Sequence, residues 1–239
     1  MENEKKYIFT YSFKDFTVFR IVNGVFRENC FLVKHNETGE LLLFDPGDEL
    51  EKIETVIAEN GNNLKAILLT HGHFDHVGQV AALTKKFNLV AKVHKNDSRL
   101  MRQAPMYAIR YIRKSLQPPM PFETFEDEAI VQVGNFSVDI TTTPGHTSGC
   151  VCFYLNGFVI TGDTLFYRHI GPTNYPESQP DVFPKSIDKL LSKYPDETII
   201  FPGHGREWNF GEAKGWWKSV GANIPQYQIM NDKELQGFK

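Results

Sequence analysis

The stretch LLTHGHFDHVGQ, Leu68 to Gln79, puts His71, His73, Asp75 and His76 within six residues, directly after an apolar run. The chain has 8 histidines, so three in one short loop need a chemical reason. Imidazole nitrogens and carboxylate oxygens are ligands for zinc and related divalent ions. Alternate residues of an extended loop share a side, so His71 and His73 can reach one point, with Gly72 relaxing the backbone between them. Asp75 and His76 come at the start of the helix that should follow and can reach a second point. One ion takes three or four protein ligands, so the cluster hints at two ions, provided the chain supplies more donors.

Three further segments supply them. TPGHTSG carries His146, ITGDT carries Asp163, and FPGHG carries His204. Each donor ends a β-type run and has glycine beside it to let the backbone turn. Strand ends of layered α/β architectures gather on one edge, where sites are built. Singly, each donor has an ordinary reading: a solvated loop histidine, a Gly-His-Gly turn, an aspartate at a helix cap. Together they argue for a metal centre.

Outward from this loop, the first half reads as short strands (YIFTYSF, TVFRIV, ENCFLVKH, ELLLFD), then a helix over Asp48 to Asn60 with Ile53, Val56 and Ile57 as its apolar stripe. KAILLT is a buried strand. A helix follows the histidine cluster with Val77, Val80, Ala81 and Leu83 inward, and LVAKVH is the next strand. Asn96 to Gln117 reads as helical with a break or kink expected near Ala104, because Pro105 follows. The second half has the same order, with strands AIVQV, FSVDITTT, CVCFYL and FVITGD, a helix near Pro184 to Lys193, and a last strand TIIFPG. Two halves of strands then helix suggest two sheets packed together with helices outside.

The 239 residues are expected to form a single domain, 1–239, with a helical insertion at about 96–122 and a short extension after 205. A net charge of −3 gives no basic field for nucleic acid or an anionic membrane surface, and no apolar run reaches membrane-spanning length. Cys30, Cys150 and Cys152 are too few for a disulfide framework and read as small core residues. The expected location is the cytoplasm.

The motifs THGHFDH, PGHTSG, TGD and PGHG, with FDPG at Phe44 to Gly47, resemble those of the metallo-β-lactamase superfamily over about Asn29 to Gly205. The resemblance implies a four-layer αββα sandwich and a binuclear site. His71, His73 and His146 would hold one metal, Asp75, His76 and His204 the other, and Asp163 would bridge them. Asp45 would steady a ligand loop by hydrogen bonds. A hydroxide shared by two divalent ions would attack an electrophilic carbonyl, with Asp75 as the catalytic carboxylate that orients it or relays its proton. Zinc is the first expectation, and iron and manganese suit the same donors.

Within the superfamily, the commonest β-lactamases use Cys where Asp163 stands, and flavodiiron proteins place Glu where His73 stands. The pattern looks most like the glyoxalase II branch, whose members hydrolyse thioesters such as S-lactoylglutathione. The expected substrate is therefore a small thioester or related ester, with a glutathione thioester as the first candidate. An iron-dependent persulfide dioxygenase and a lactonase are the alternatives within the same superfamily. Two features depart from glyoxalase II: a GRTD-like loop is replaced by Gly171-Pro172-Thr173-Asn174, and the long C-terminal helical domain is missing. The aromatic patch Trp208, Phe210, Trp216 and Trp217 reads as a core-covering helix. The insertion carries Arg99, Arg102, Arg110, Arg113 and Lys114 with Met101, Met106, Tyr107 and Tyr111. It is expected either to lie over the cleft, with Arg110 and Arg113 meeting an anionic tail of the substrate, or to be a solvated basic face over an ordinary apolar stripe. Oligomeric state is not readable from the sequence.

Overall fold

The computed structural model describes residues 7–126 and 128–219. Two sheets face each other. The first has β1 (Ile8–Ser12), β2 (Phe16–Asn23), β3 (Glu28–His35), β4 (Leu41–Phe44), β5 (Leu64–Leu68), β6 (Ala91–His94) and β7 (Phe122–Phe125), side by side in sequence order. Strands β1 to β4 form an antiparallel meander; β4 to β7 are parallel. Parallel neighbours need crossovers. These are α1 (Leu50–Glu59), then α2 (Phe74–Val77) with α3 (Val80–Phe87), then α4 (Ser98–Ile112).

The second sheet is built from β8 (Ile130–Val133), β9 (Phe136–Thr142), β10 (Val151–Leu155) and β11 (Phe158–Gly162), an antiparallel meander. A two-stranded ribbon, β12 (Leu165–Phe166) and β13 (His169–Ile170), and α5 (Phe183–Lys193) lead to β14 (Ile199–Pro202), which pairs parallel to β11. Strand β15 (Trp208–Asn209) closes the edge and α6 (Phe210–Ser219) follows.

Side-chain alternation along the strands builds three apolar seams between four layers. On β3, Phe31 and Val33 point to the seam between the sheets, while Cys30 and Leu32 point to the helices. Leu42 and Phe44 of β4 meet Phe153 of β10 and Phe201 of β14 in the central seam. Leu41 and Leu43 meet Ile53, Val56 and Ile57 of α1 and Met101, Ala104 and Ala108 of α4. On the far side Cys152, Val159 and Ile200 meet Ile187 and Leu190 of α5 and Ala213 and Trp217 of α6. Each fully buried Phe, Leu or Ile contributes about 1.5–3 kcal/mol. Strands with both faces buried read as unbroken apolar runs, as KAILLT and ELLLFD do. This is the αββα sandwich that the motifs imply. Trp208, Phe210 and Trp217 are buried in the outer seam, in keeping with a core-covering C-terminal helix; residues 220–239 of the extension lie outside the described residues. No helix among the described residues is long and apolar enough to cross a membrane.

Two expectations about helices are corrected. Of the break or kink expected near Ala104, the break is absent: α4 runs through Pro105 from Ser98 to Ile112. Its buried face, Leu100, Met101, Ala104 and Ala108, holds the helix on both sides of the proline, and tertiary packing outweighs the one lost backbone bond. The helix ends instead at Arg113, which is left-handed (φ 54°). The single helix expected after the histidine cluster is two, divided at Gly78 and Gln79. Gln79 donates its N–H to the Pro46 carbonyl (2.9 Å), and Gly78 packs so tightly on the Gly47 backbone that a Cβ would overlap it. Val77, Val80 and Leu83 face inward as expected, with Thr84 rather than Ala81 completing the buried face.

Candidate metal centre

The loops that leave the C-terminal ends of β4, β5, β9, β11 and β14 meet on one edge of the sandwich. They carry Asp45, the His71–His76 cluster, His146, Asp163 and His204 respectively. Two groups of donor atoms result. His71 Nε2 lies 3.1 Å from His73 Nδ1, and His146 Nε2 lies 2.8 Å from that same Nδ1. These three form one potential ligand triad. Asp75, His76 and His204 form a second, with Asp75 Oδ2 3.9 Å from His76 Nε2 and 3.6 Å from His204 Nε2. Asp163 stands between them. Its Oδ1 is 3.3 Å from His76 Nε2, and its Oδ2 is 3.4 Å from His146 Nε2 and 3.6 Å from His204 Nε2.

The outer atom of each imidazole is held by a different partner, which fixes the ring and aims the inner nitrogen. His146 Nδ1 bonds the Pro172 carbonyl (2.7 Å), and His204 Nδ1 bonds the Phe26 carbonyl (3.1 Å). His71 Nδ1 meets Thr70 Oγ1 (3.0 Å). His73 Nε2 meets Glu177 Oε1 (2.8 Å). His76 Nδ1 meets Asp45 Oδ2 (3.1 Å). Asp45 also accepts from Thr70 N (2.8 Å) and Thr70 Oγ1 (2.6 Å), so it orients both ligand histidines at once. A grouping of Asp45 with His71 and His76 is geometrically close as well, but these bonds commit Asp45 to positioning. At Gly203 glycine serves close approach. A Cβ on Gly203 would overlap the Asp163 carboxylate, although its backbone is not left-handed.

The donor set fits divalent ions. Among the described residues, His76 Nε2 and Asp163 Oδ1 are buried without a hydrogen-bond partner, both on the side facing the other donors. Buried polar atoms are seldom left so, unless an ion or water completes them. Burial, and next the charge of His76, holds the His71 pKa well below its ordinary value. Burial, then the His73 charge, brings His146 down to about 4. Both rings are therefore neutral with lone pairs available. His76 goes the other way: burial pulls it down, but the Asp163 and Asp75 carboxylates outweigh that and raise it. Burial pushes Asp163 up, but His204 and His76 hold it well below the carboxylate range. Such an anionic centre suits a cation.

Two carboxylates with positioning roles carry no motif. Asp97, buried in the turn after β6, accepts from Gly72 N (2.9 Å), Thr147 Oγ1 (2.8 Å) and Gly149 N (2.8 Å). It thereby ties the His71–His73 loop to the His146 loop. Glu177 holds His73, and its pKa is lowered because His73 outweighs its burial. Glu28 is buried with Oε1 3.9 Å from His76 Nδ1, and burial raises its pKa well above the ordinary value. The Gly171-Pro172-Thr173-Asn174 loop, for all its departure from GRTD, supports His146 through the Pro172 backbone carbonyl, which needs no particular side chain.

A cavity of about 280 Å³ opens over the donors, and His73, Asp75, His146, Asp163 and His204 line it. The wall from α4 is Tyr107 and Tyr111. Arg110 and Arg113 are exposed and do not line this cavity; the Arg110 guanidinium lies 5.7 Å from the Tyr111 ring centroid. His94 and Lys95 bond the Glu126 carbonyl and carboxylate, as structural residues do. Tyr167 and His169 stand outside the cavity; Tyr175 is inside, its ring 5.2 Å from that of His73.

Known proteins resemble this chain in sequence and fold. The family model described as the metallo-beta-lactamase superfamily matches residues 23–204. The hydroxyacylglutathione hydrolase GloC of Haemophilus influenzae is 33% identical over 193 residues, 79% of this chain and 91% of that protein. The probable polyketide biosynthesis zinc-dependent hydrolase PksB of Bacillus subtilis is 30% identical over 186 residues, 78% of this chain and 75% of that protein. Among solved structures, TTHA1623 in a di-iron-bound form is 35% identical with a TM-score of 0.74, covering 82% of this chain and 96% of that one.

Proposed function

The chain belongs to the metallo-β-lactamase superfamily, and from that premise we propose that it is a metal-dependent hydrolase of a thioester or related ester. The observation that supports this reading best is the pair of donor triads with Asp163 between them on the floor of an open cavity. His71, His73 and His146 would hold one divalent ion, and Asp75, His76 and His204 the second, with Asp163 reaching both. Zinc is the proposed ion, in line with the zinc dependence named for PksB; iron is the alternative, in line with the di-iron form of TTHA1623. Bound ions at such a site supply Lewis acidity and a water made acidic enough to act near neutral pH.

The chain's own side chains do the rest. Asp75 lines the cavity beside His204 and can orient the attacking water and take its proton. Tyr175 keeps its proton, because burial and then the Asp75 and Asp163 charges raise its pKa. Its hydroxyl is a donor available to a substrate oxygen. The products are a carboxylate and a thiol or alcohol, and no serine or cysteine nucleophile is needed. All three cysteines are buried, and burial raises the pKa of each.

The relation to GloC makes S-lactoylglutathione the first thioester to try. The experiment is turnover of a panel of thioesters and esters by metal-replete protein, with and without a chelator, alongside oxygen uptake. Chelator-sensitive thiol release without oxygen consumption is expected. Oxygen uptake with a persulfide, and no hydrolysis of any ester, would overturn the reading.

A further inference from the structure

We propose that the cavity over the metal donors receives an uncharged aromatic or apolar group beside the scissile bond. The protein would then select neutral thioesters over anionic ones. This rests on the hydrolase reading and names its substrate class.

Six aromatic side chains form the walls: Phe26, Phe74, Tyr107, Tyr111, Phe166 and Tyr175. Three of them make a near-parallel series. Tyr107 and Tyr111 have ring centroids 6.3 Å apart at 15°, and Tyr111 and Phe74 are 6.1 Å apart at 5°. Phe26 then meets Phe74 edge-on at 5.7 Å and 74°. Residues four apart on α4 share a face, so Tyr107 and Tyr111 present their rings together. Such rings favour a flat apolar guest, because aromatic pairs add attraction beyond the area they bury. The cavity, about 280 Å³, is nearly twice the roughly 150 Å³ that encloses benzene, so it has room for a ring and a short linker.

The charge pattern points the same way. Among the described residues no lysine or arginine lines this cavity. Its charged wall residue besides the metal donors is Glu177, an anion engaged with His73. The cations of α4 are placed elsewhere. Arg102 bonds the Ser98 carbonyl and lies over Phe122, Arg110 is exposed beside the Tyr111 ring and outside the cavity, and Lys114, beyond the helix, pairs with Asp48. Arg99 lines a neighbouring cavity of about 260 Å³, but Asp97 and Glu177 share that wall and offset its charge. An anionic group held against the aromatic walls, away from the metal donors, would lose water and gain no counter-charge from the side chains there, a costly transfer.

The test uses matched pairs on zinc-loaded protein. Phenylacetyl thioesters of N-methyl-3-mercaptopropionamide and of 3-mercaptopropionate share an acyl group and a near-identical thiol, and differ in one charge close to the scissile bond. The S-benzyl thioethers of the same two thiols cannot be hydrolysed and report binding by calorimetry. The neutral member of each pair is expected to be better by about tenfold or more, in kcat/KM and in Kd. Tyr111→Ala is expected to weaken the neutral thioether and raise KM for the neutral thioester. Tyr111→Leu, which keeps apolar bulk on the helix, should lose less. Equal or tighter binding of the 3-mercaptopropionate thioether overturns the inference, whatever the hydrolysis shows. Selective binding of the neutral thioether with no hydrolysis of either thioester would uphold the cavity assignment and count against the hydrolase reading, which the full ester panel and oxygen uptake then decide.

Discussion

The floor and the roof of the cleft are built on opposite plans. On the floor, the five candidate ligand imidazoles are each fixed on the far side by a carbonyl, a hydroxyl or a carboxylate. The roof is α4, an amphipathic helix with Tyr111 half exposed, Ile109 and Met106 open to solvent, and ring contacts in place of hydrogen bonds. Geometry on the floor is over-determined, which suits a chemistry that tolerates little displacement. The roof is held by one buried face and is free to vary its outward residues. Catalysis and substrate choice are thus separable, and substitutions should separate them.

The largest effect should come from the floor. Asp163→Ala removes the carboxylate that reaches both triads, and turnover should fall on the order of 10³-fold, as when one preorganised electrostatic group is removed. Metal analysis should find fewer than two ions per chain in that variant; near-normal turnover would break the contrast between floor and roof. Asp45→Asn keeps the shape but loses the charge that holds Thr70 and His76, and metal affinity should drop about 10–100-fold by chelator competition. Glu177→Gln acts on one half-buried anchor of one ligand, so a drop nearer tenfold is expected. The smallest effect belongs to the roof's outer surface. Arg110→Ala with Arg113→Ala should change KM for an anionic thioester less than about twofold, since exposed charges outside the cavity are worth little. A severalfold rise in that KM would restore the sequence-based expectation that these arginines meet the substrate.

Sequence legibility follows the same division. Ligand residues are chemically scarce and end strands, so His71, His73, Asp75, His76, His146, Asp163 and His204 stand out together in the bare sequence. Asp45 is legible through FDPG. Asp97 and Glu177 are not, because a lone carboxylate becomes an anchor only when folding brings a loop 25 to 104 residues away against it. The roof is legible as a helix but not as to which face looks inward. Its arginines and tyrosines alternate in sequence, and packing of Leu100, Met101, Ala104 and Ala108 on the sheet decides that the tyrosines meet the cleft. The same packing carries the helix through Pro105, against the local preference for a break.

The most direct test of the binuclear floor is a metal titration of stripped wild-type protein, with ions per chain and thioester hydrolysis read on the same samples. Activity should rise as the second equivalent binds and vanish again with chelator. Full activity in protein carrying no divalent ion, or complete activity at one equivalent with no second ion bound at saturation, would contradict it.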